Sequence, residues 1–268
     1  MNSATLREPL RFSGVGLHTG TDAAMEIRPA PPGTGYVFVV DGVTIPATAD
    51  YAKESPLATL LERDGKQIST VEHVLSALLA MGVSDAEIVL EGQEIPILEG
   101  SAQIYADRIA ETGLRESDVP RAVYAPSEAF ELRTGDRAVI VLPAPEFRVR
   151  FLGEYAPPIG AHYYDAVVTP QTYREQIAGA RTFAFLRDVE AMRAQGLARG
   201  GSLDNALVYD EAGPMQALRW PNEPARHKAL DLIGDLALLG AYPQCEVIAI
   251  KSGHALHTRL TRELRNRG

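Results

Sequence analysis

Arg226-His227-Lys228-Ala229-Leu230-Asp231-Leu232-Ile233-Gly234-Asp235 is the stretch on which the reading of this chain turns. Pro221 and Pro224 precede it, and the apolar positions Leu230, Ile233, Ala237 and Leu238 recur at the spacing of a helix over 226–239. On such a helix His227 and Asp231 lie one above the other on a single face, and Asp235 extends the stripe by a turn. A histidine and a carboxylate at that spacing can hold one zinc ion from one rigid element. The competing reading is a solvated face whose i,i+4 pair is worth a few tenths of a kcal/mol. The rest of the chain has to decide between them.

At 268 residues the chain exceeds one average domain, and two of similar size fit within it. Hydrophobic residues make up 46% and charged residues 23%, the balance of a soluble globular protein with ample apolar side chains for buried cores. A formal net charge of -9 argues against a nucleic-acid binder but leaves room for an anionic small ligand in a local basic pocket. Cys245 is the single cysteine, which rules out an intrachain disulfide and a cysteine-ligated zinc ribbon and fits a reducing compartment. Met1 to Gly14 carries Arg7, Glu8, Pro9 and Arg11 and lacks the apolar core of a signal peptide. No run approaches the ~18 apolar residues of a membrane span. Together these features predict a cytoplasmic protein without stable membrane insertion.

In chain order, Gly14, Gly16 and Gly20 surround His18, which suggests a tight backbone approach rather than a regular element. Taken alone, His18 reads as a structural histidine or as a ligand. Short strands are expected at Ala24–Ile27, Tyr36–Val40 and Val43–Ile45. Ser69-Thr70-Val71-Glu72 then has the form of a capping box before an apolar helix from His73 to Met81, stopped by Gly82. Glu72 is therefore either a cap reaching back to the first amide or a general base at a helix N-terminus. A strand follows at Glu87–Leu90 and a helix at Ser101–Thr112. Beyond a boundary at Asp118–Arg121 come strands at Ala138–Leu142 and Phe147–Leu152, helices from Pro170 to about Gly179 and from Asp188 to Gln195, and a strand at Ala206–Tyr209. After the helix over 226–239, a strand at Glu246–Ile250 leads to a last helix with a basic end expected to fray.

The two halves echo each other. His73 opens an apolar helix that ends at Gly82 and is followed by Glu87-Ile88-Val89-Leu90, while His227 opens one that ends at Gly240 and is followed by Glu246-Val247-Ile248-Ala249-Ile250. A duplicated α+β unit would bring the two histidines together at the junction of the halves, where ligand sites are common.

Taken as an ordered set, these motifs resemble those of the UDP-3-O-acyl-N-acetylglucosamine deacetylases, zinc amidases of lipid A biosynthesis. The matching residues are Gly16-Leu17-His18-Thr19-Gly20, Ile68 to His73, Glu94-Ile95-Pro96-Ile97 with Gly100-Ser101, and Ala180-Arg181-Thr182-Phe183. They continue with Gly200-Gly201-Ser202, Arg226 to Asp231, Ile233-Gly234-Asp235 and Lys251 to Leu256. Against the usual pattern of that family, Glu99 replaces an aspartate, Ala184 a glycine, Ala58 a cysteine and His257 an asparagine.

The resemblance implies an α+β fold: two similar α+β sandwich domains packed against each other, each with a small insert, here residues 1–118 and 121–268. It implies Zn2+ held by His73, His227 and Asp231, with a fourth position open for water. Glu72 then acts as general base, and His254 as the general acid that protonates the departing amine, with Asp235 keeping it charged and oriented. Thr182 shares the developing oxyanion. Lys228 contacts substrate, and Phe183, His18 and Asp188 line or support the pocket. The stretch Leu186–Tyr209 corresponds to the wall along the lipid arm, with Leu186, Val189, Met192, Leu197, Leu203, Ala206 and Val208 as its apolar positions. The implied partner is a small molecule, an acylated UDP-sugar, with no nucleic acid and a monomeric enzyme. Two other readings stand beside this one: a zinc amidase for a different N-acetylated sugar, and a catalytically silent binding protein on the same fold.

Overall fold

The computed structural model describes residues 1–53, 55 and 57–267. Two five-stranded sheets of the same topology dominate it. The first runs in the order Leu10–Val15, Asp22–Pro29, Ala86–Glu91, Tyr36–Val40, Val43–Pro46. The second runs Phe130–Thr134, Arg137–Pro143, Cys245–Ile250, Arg148–Glu154, Ala161–Val167. In each, the strand last in sequence enters the middle, antiparallel to the second strand and parallel to the third. The echo between the halves is thus an α+β unit present twice. Burial alternates along these strands, as in Tyr36–Val40 and Cys245–Ile250, because successive side chains point to opposite faces and one face of each sheet is covered.

Among the described residues there are six α-helices: α1 (Glu72–Ala80), α2 (Gln103–Thr112), α3 (Pro170–Gln176), α4 (Leu186–Ala194), α5 (Glu223–Leu236) and α6 (His254–Arg265). α1 is buried on every side, which its sequence allows because Glu72, His73 and Ser76 are its only strongly polar residues. It packs along α5, and α5 packs on the strands Arg148–Glu154 and Ala161–Val167. One continuous core results, from Ile27, Phe38 and Ile88 through Leu75 and Leu78 of α1 and Leu230 and Ile233 of α5 to Val149, Phe151 and Val247. Full burial of such a leucine or isoleucine is worth roughly 1.5–3 kcal/mol. The helices touch at Gly234, where a Cβ would overlap the carbonyl oxygen of Glu72.

Each unit carries an insert next to its central helix. The first is a three-stranded sheet of Ala52–Lys53, Leu60–Arg63 and Lys66–Ser69. The second joins the parallel strands Phe183–Phe185 and Leu207–Tyr209 through α4. The tight approach expected around His18 is present. Amides of Arg199 and Gly200 donate to the carbonyls of His18 and Leu17, and a Cβ on Gly200 would overlap the Gly16 oxygen.

Three local expectations differ. There is no capping box at α1: Ser69 lies in a strand, Val71 is the N-cap, and no side chain caps the helix. Thr70 takes a left-handed conformation (φ 61°), uncommon for a β-branched residue, and its hydroxyl is tied to Glu94 at 2.9 Å. α5 begins at Glu223 with Pro224 inside its first turn, where the missing N–H costs no hydrogen bond. The basic end of α6 is anchored, since Arg262 donates to the carbonyls of Ala49 and Ala52 and Arg265 to that of Leu239 and to Asp50. Among the described residues, no helix is long and apolar enough to cross a membrane.

Candidate active site

The first turn of α1 and one face of α5 meet where the two units join, and α6 closes the third side. On α5, Nε2 of His227 lies 3.4 Å from Oδ1 of Asp231. Across the junction, Nε2 of His73 lies 3.8 Å from the same oxygen. Donors at about 2.0–2.1 Å around one tetrahedral ion stand a little over 3 Å apart, so these three atoms are spaced to share a cation. Oδ1 of Asp231 is buried and has no hydrogen-bond partner among the described residues, an expensive arrangement for a carboxylate unless a cation faces it. The other oxygen, Oδ2, accepts from the Lys228 ammonium at 2.7 Å.

Protonation suits the same three residues. Burial pushes His73 down to about 3, with the neighbouring His227 acting in the same direction, and burial also lowers His227. Both rings are neutral near pH 7 and keep a lone pair for a metal. Nδ1 of His227 faces the carbonyl of Ala180 at 3.0 Å, which places the proton there and frees Nε2. Burial would raise Asp231, but His227, Lys228 and His254 outweigh it and hold the carboxyl well below its usual range. With His73 and His227 neutral, Lys228 and His254 are the standing charges that keep it ionised.

Glu72, Asp231 and His254 form a second group with converging polar atoms. Burial lowers His254, but Asp235, Glu72 and Asp231 more than offset it and raise the ring to about 9. A protonated imidazole has no lone pair to give, which favours His73, His227 and Asp231 as the group that could hold a metal. Burial raises Glu72 to about 7, a value suited to taking and returning a proton. Its Oε2 accepts from the Thr59 amide at 3.0 Å, and its Oε1 lies 4.0 Å from Nε2 of His254. Nδ1 of His254 is 3.0 Å from Oδ2 of Asp235. So many buried ionisable groups cost several kcal/mol in desolvation, which marks a functional site rather than a stabilising one.

Beside this cluster lies a cavity of about 410 Å³. Thr182, Phe183, His18 and Lys228 line it, and so do all the apolar wall positions named from the sequence except Leu197. The Phe183 ring stands 6.1 Å from that of His227 and 5.9 Å from the Lys228 ammonium. Glu94 positions the His18 loop by accepting from the amides of His18 and Thr19 at 2.9 and 2.8 Å. Asp188 does not join them. It sits in the first turn of α4 with its side chain 58% exposed, while Leu186, Val189 and Met192 of that helix line the cavity. Asp188 is therefore not among the residues lining this cavity.

Thr59 went unnoticed in the sequence. It is buried, donates its amide to Glu72 and its hydroxyl to Asp235, and lies 3.1 Å from Nδ1 of His254. A lone threonine between two insert strands carries no local signal of such a role. The pairing of Lys228 with Asp231 was likewise missed, although an i,i+3 spacing on a helix could have suggested it.

Comparisons with known proteins place the chain among named relatives. Residues 3–266 match the LpxC family, described as UDP-3-O-acyl N-acetylglycosamine deacetylase. A protein named UDP-3-O-acyl-N-acetylglucosamine deacetylase from Myxococcus xanthus is 41% identical over 98% of this chain and 86% of its own length. Proteins of the same name from an Anaeromyxobacter species and a Nostoc species are 40% and 39% identical, each over 98% of this chain and over 88% and 98% of their own lengths. On this evidence the chain belongs to the UDP-3-O-acyl N-acetylglycosamine deacetylase family.

Proposed function

We propose that this protein is a zinc-dependent deacetylase that hydrolyses the N-acetyl group of UDP-3-O-acyl-N-acetylglucosamine, giving the free amine and acetate, an early committed step of lipid A biosynthesis. It acts as a monomer in the cytoplasm, and residues 1–118 and 121–268 are its two units. The observation that carries the reading is the convergence of His73, His227 and the unpartnered Asp231 oxygen beside Glu72 and His254.

The amide is a weak electrophile and its amine a poor leaving group, so the site needs an acid and a base at once. His73, His227 and Asp231 would hold the zinc, which supplies Lewis acidity to the carbonyl and to the attacking water. Glu72 takes the proton from that water as its oxygen bonds to the carbonyl carbon. Nε2 of His254, the ring nitrogen turned toward Glu72 and Asp231, gives its proton to the nitrogen as the C–N bond breaks. Asp235 holds Nδ1 of the same ring and stabilises its charge. The Thr182 hydroxyl donates to the oxyanion, Lys228 adds positive charge at the cavity edge, and Phe183 and His18 shape the space for the sugar.

The apolar wall from Leu186 to Val208 has room for the 3-O-acyl chain, and each methylene buried there contributes about 0.8 kcal/mol. The test is kcat/KM for the acylated sugar and for plain UDP-N-acetylglucosamine on zinc-loaded enzyme, with metal content measured alongside. Turnover with a strong acyl preference is expected. A preference below about tenfold, equivalent to ~1.4 kcal/mol, would favour an amidase for a sugar without the chain.

A further inference from the structure

Asp235 has more partners than a carboxylate serving one histidine requires. Its Oδ2 lies 3.0 Å from Nδ1 of His254 and 2.7 Å from Nδ1 of His257, and its Oδ1 accepts from the Thr59 hydroxyl. All four side chains are buried, Asp235 and His257 completely. On its far side, Nε2 of His257 is 2.8 Å from the Ser252 hydroxyl. An ionised carboxylate only accepts, so both ring nitrogens facing Asp235 carry protons. The row Ser252, His257, Asp235, His254 ends at Nε2 of His254, 3.6 Å from Oδ2 of Asp231.

We propose that His257 is a positioning residue for the reaction: by holding Oδ2 of Asp235 it fixes the carboxylate plane and, through it, the ring of His254. The inference rests on the proposed function in that His254 serves there as the acid. A carboxylate turns over a broad torsional range about its last side-chain bond. Thr59 alone gives Asp235 one anchor; His257 gives it a second, on the oxygen that His254 uses. His254 and His257 are three residues apart on α6, so both rings reach the same carboxylate from one helix face. An asparagine at position 257 could offer the same kind of donor, whereas an apolar residue could not.

The alternative is that His257 fills core space and Asp235 only satisfies its polarity. Zinc-loaded wild type, His257→Leu, His257→Asn and Ser252→Ala should be compared for kcat and KM on the acylated UDP-sugar. The hydrogen-bonded Nδ1–H signal of His254 should be followed by NMR in the same proteins. His257→Leu is expected to lose roughly ten- to hundredfold in kcat with little change in KM, as for a misplaced acid, and to shift or broaden the His254 signal. His257→Asn should recover most of the loss, and Ser252→Ala should show a smaller loss of the same kind. An unchanged His254 signal in His257→Leu would overturn the proposal, as would equal losses in the Leu and Asn variants. Should His257→Leu fail to fold, His257→Asn and Ser252→Ala decide: a wild-type signal and kcat in Ser252→Ala, with a kcat collapse in His257→Asn, overturns it. Failure of the wild type to turn over would count against the proposed function, and the NMR comparison would still report on His257.

Discussion

Gly234→Ala probes the contact between α1 and α5, on which the donor spacing of the site depends. A methyl there overlaps the backbone carbonyl oxygen of Glu72, in a buried first turn that cannot yield without moving α1. Two effects compete. Alanine is the better helix former by about 1 kcal/mol, and Gly234 lies inside α5, so that gain is available. Overpacking costs about 1–3 kcal/mol, toward the upper end when main chain rather than a flexible side chain must shift. The expected net loss is about 1–2 kcal/mol, which for a chain of this size lowers the melting temperature by about 2–8 °C. Moving α1 also draws His73 and Glu72 away from Asp231, so zinc affinity and kcat should fall together. Thermal denaturation of the zinc-free protein, zinc titration against a competing chelator and steady-state kinetics measure the three effects. A melting temperature at or above wild type, with an unchanged zinc Kd, would refute the close approach.

Glu72→Gln should keep its zinc and lower kcat by roughly 10²–10⁴, whereas His227→Ala should lose metal and activity together; near-normal turnover in Glu72→Gln would return that residue to a structural role. On the proposed mechanism His254 acts in its protonated form; its ring is raised to about 9, so kcat/KM should decline as pH rises through about 9. Asp235→Asn removes the foremost group raising His254, so the decline should move to lower pH, and an unmoved alkaline limb would exclude Asp235 from that task.

Helices α1 and α5 were legible because apolar periodicity is local and because each carries its reactive residues within a turn or two. The repeat of the two units was visible for the same reason, as two apolar helices each followed by a buried strand. Contacts that close the site from a distance left no trace. Thr59 meets Asp235 across 176 residues of sequence, and nothing near Thr59 announces it. The supposed capping box failed because Ser69 pairs in the insert sheet, where its backbone is committed before the helix begins. His257 was visible only as a departure from a pattern; its buried bonds to Asp235 and Ser252 required the fold.

The donors that would hold the metal come from both copies of the repeated unit: His73 from the first, His227 and Asp231 from the second. On the proposed reading, a bound ion is then a rivet through the seam as well as a reagent. Separating the halves would strip it of a ligand, so the assembled form gains the binding free energy and the separated form does not. At a thousandfold excess of free metal over Kd that linkage amounts to about 4 kcal/mol, a large share of an ordinary domain's stability. Chelation would therefore weaken the joint between the units, and metal supply would bear on the stability of the folded enzyme as well as on its rate.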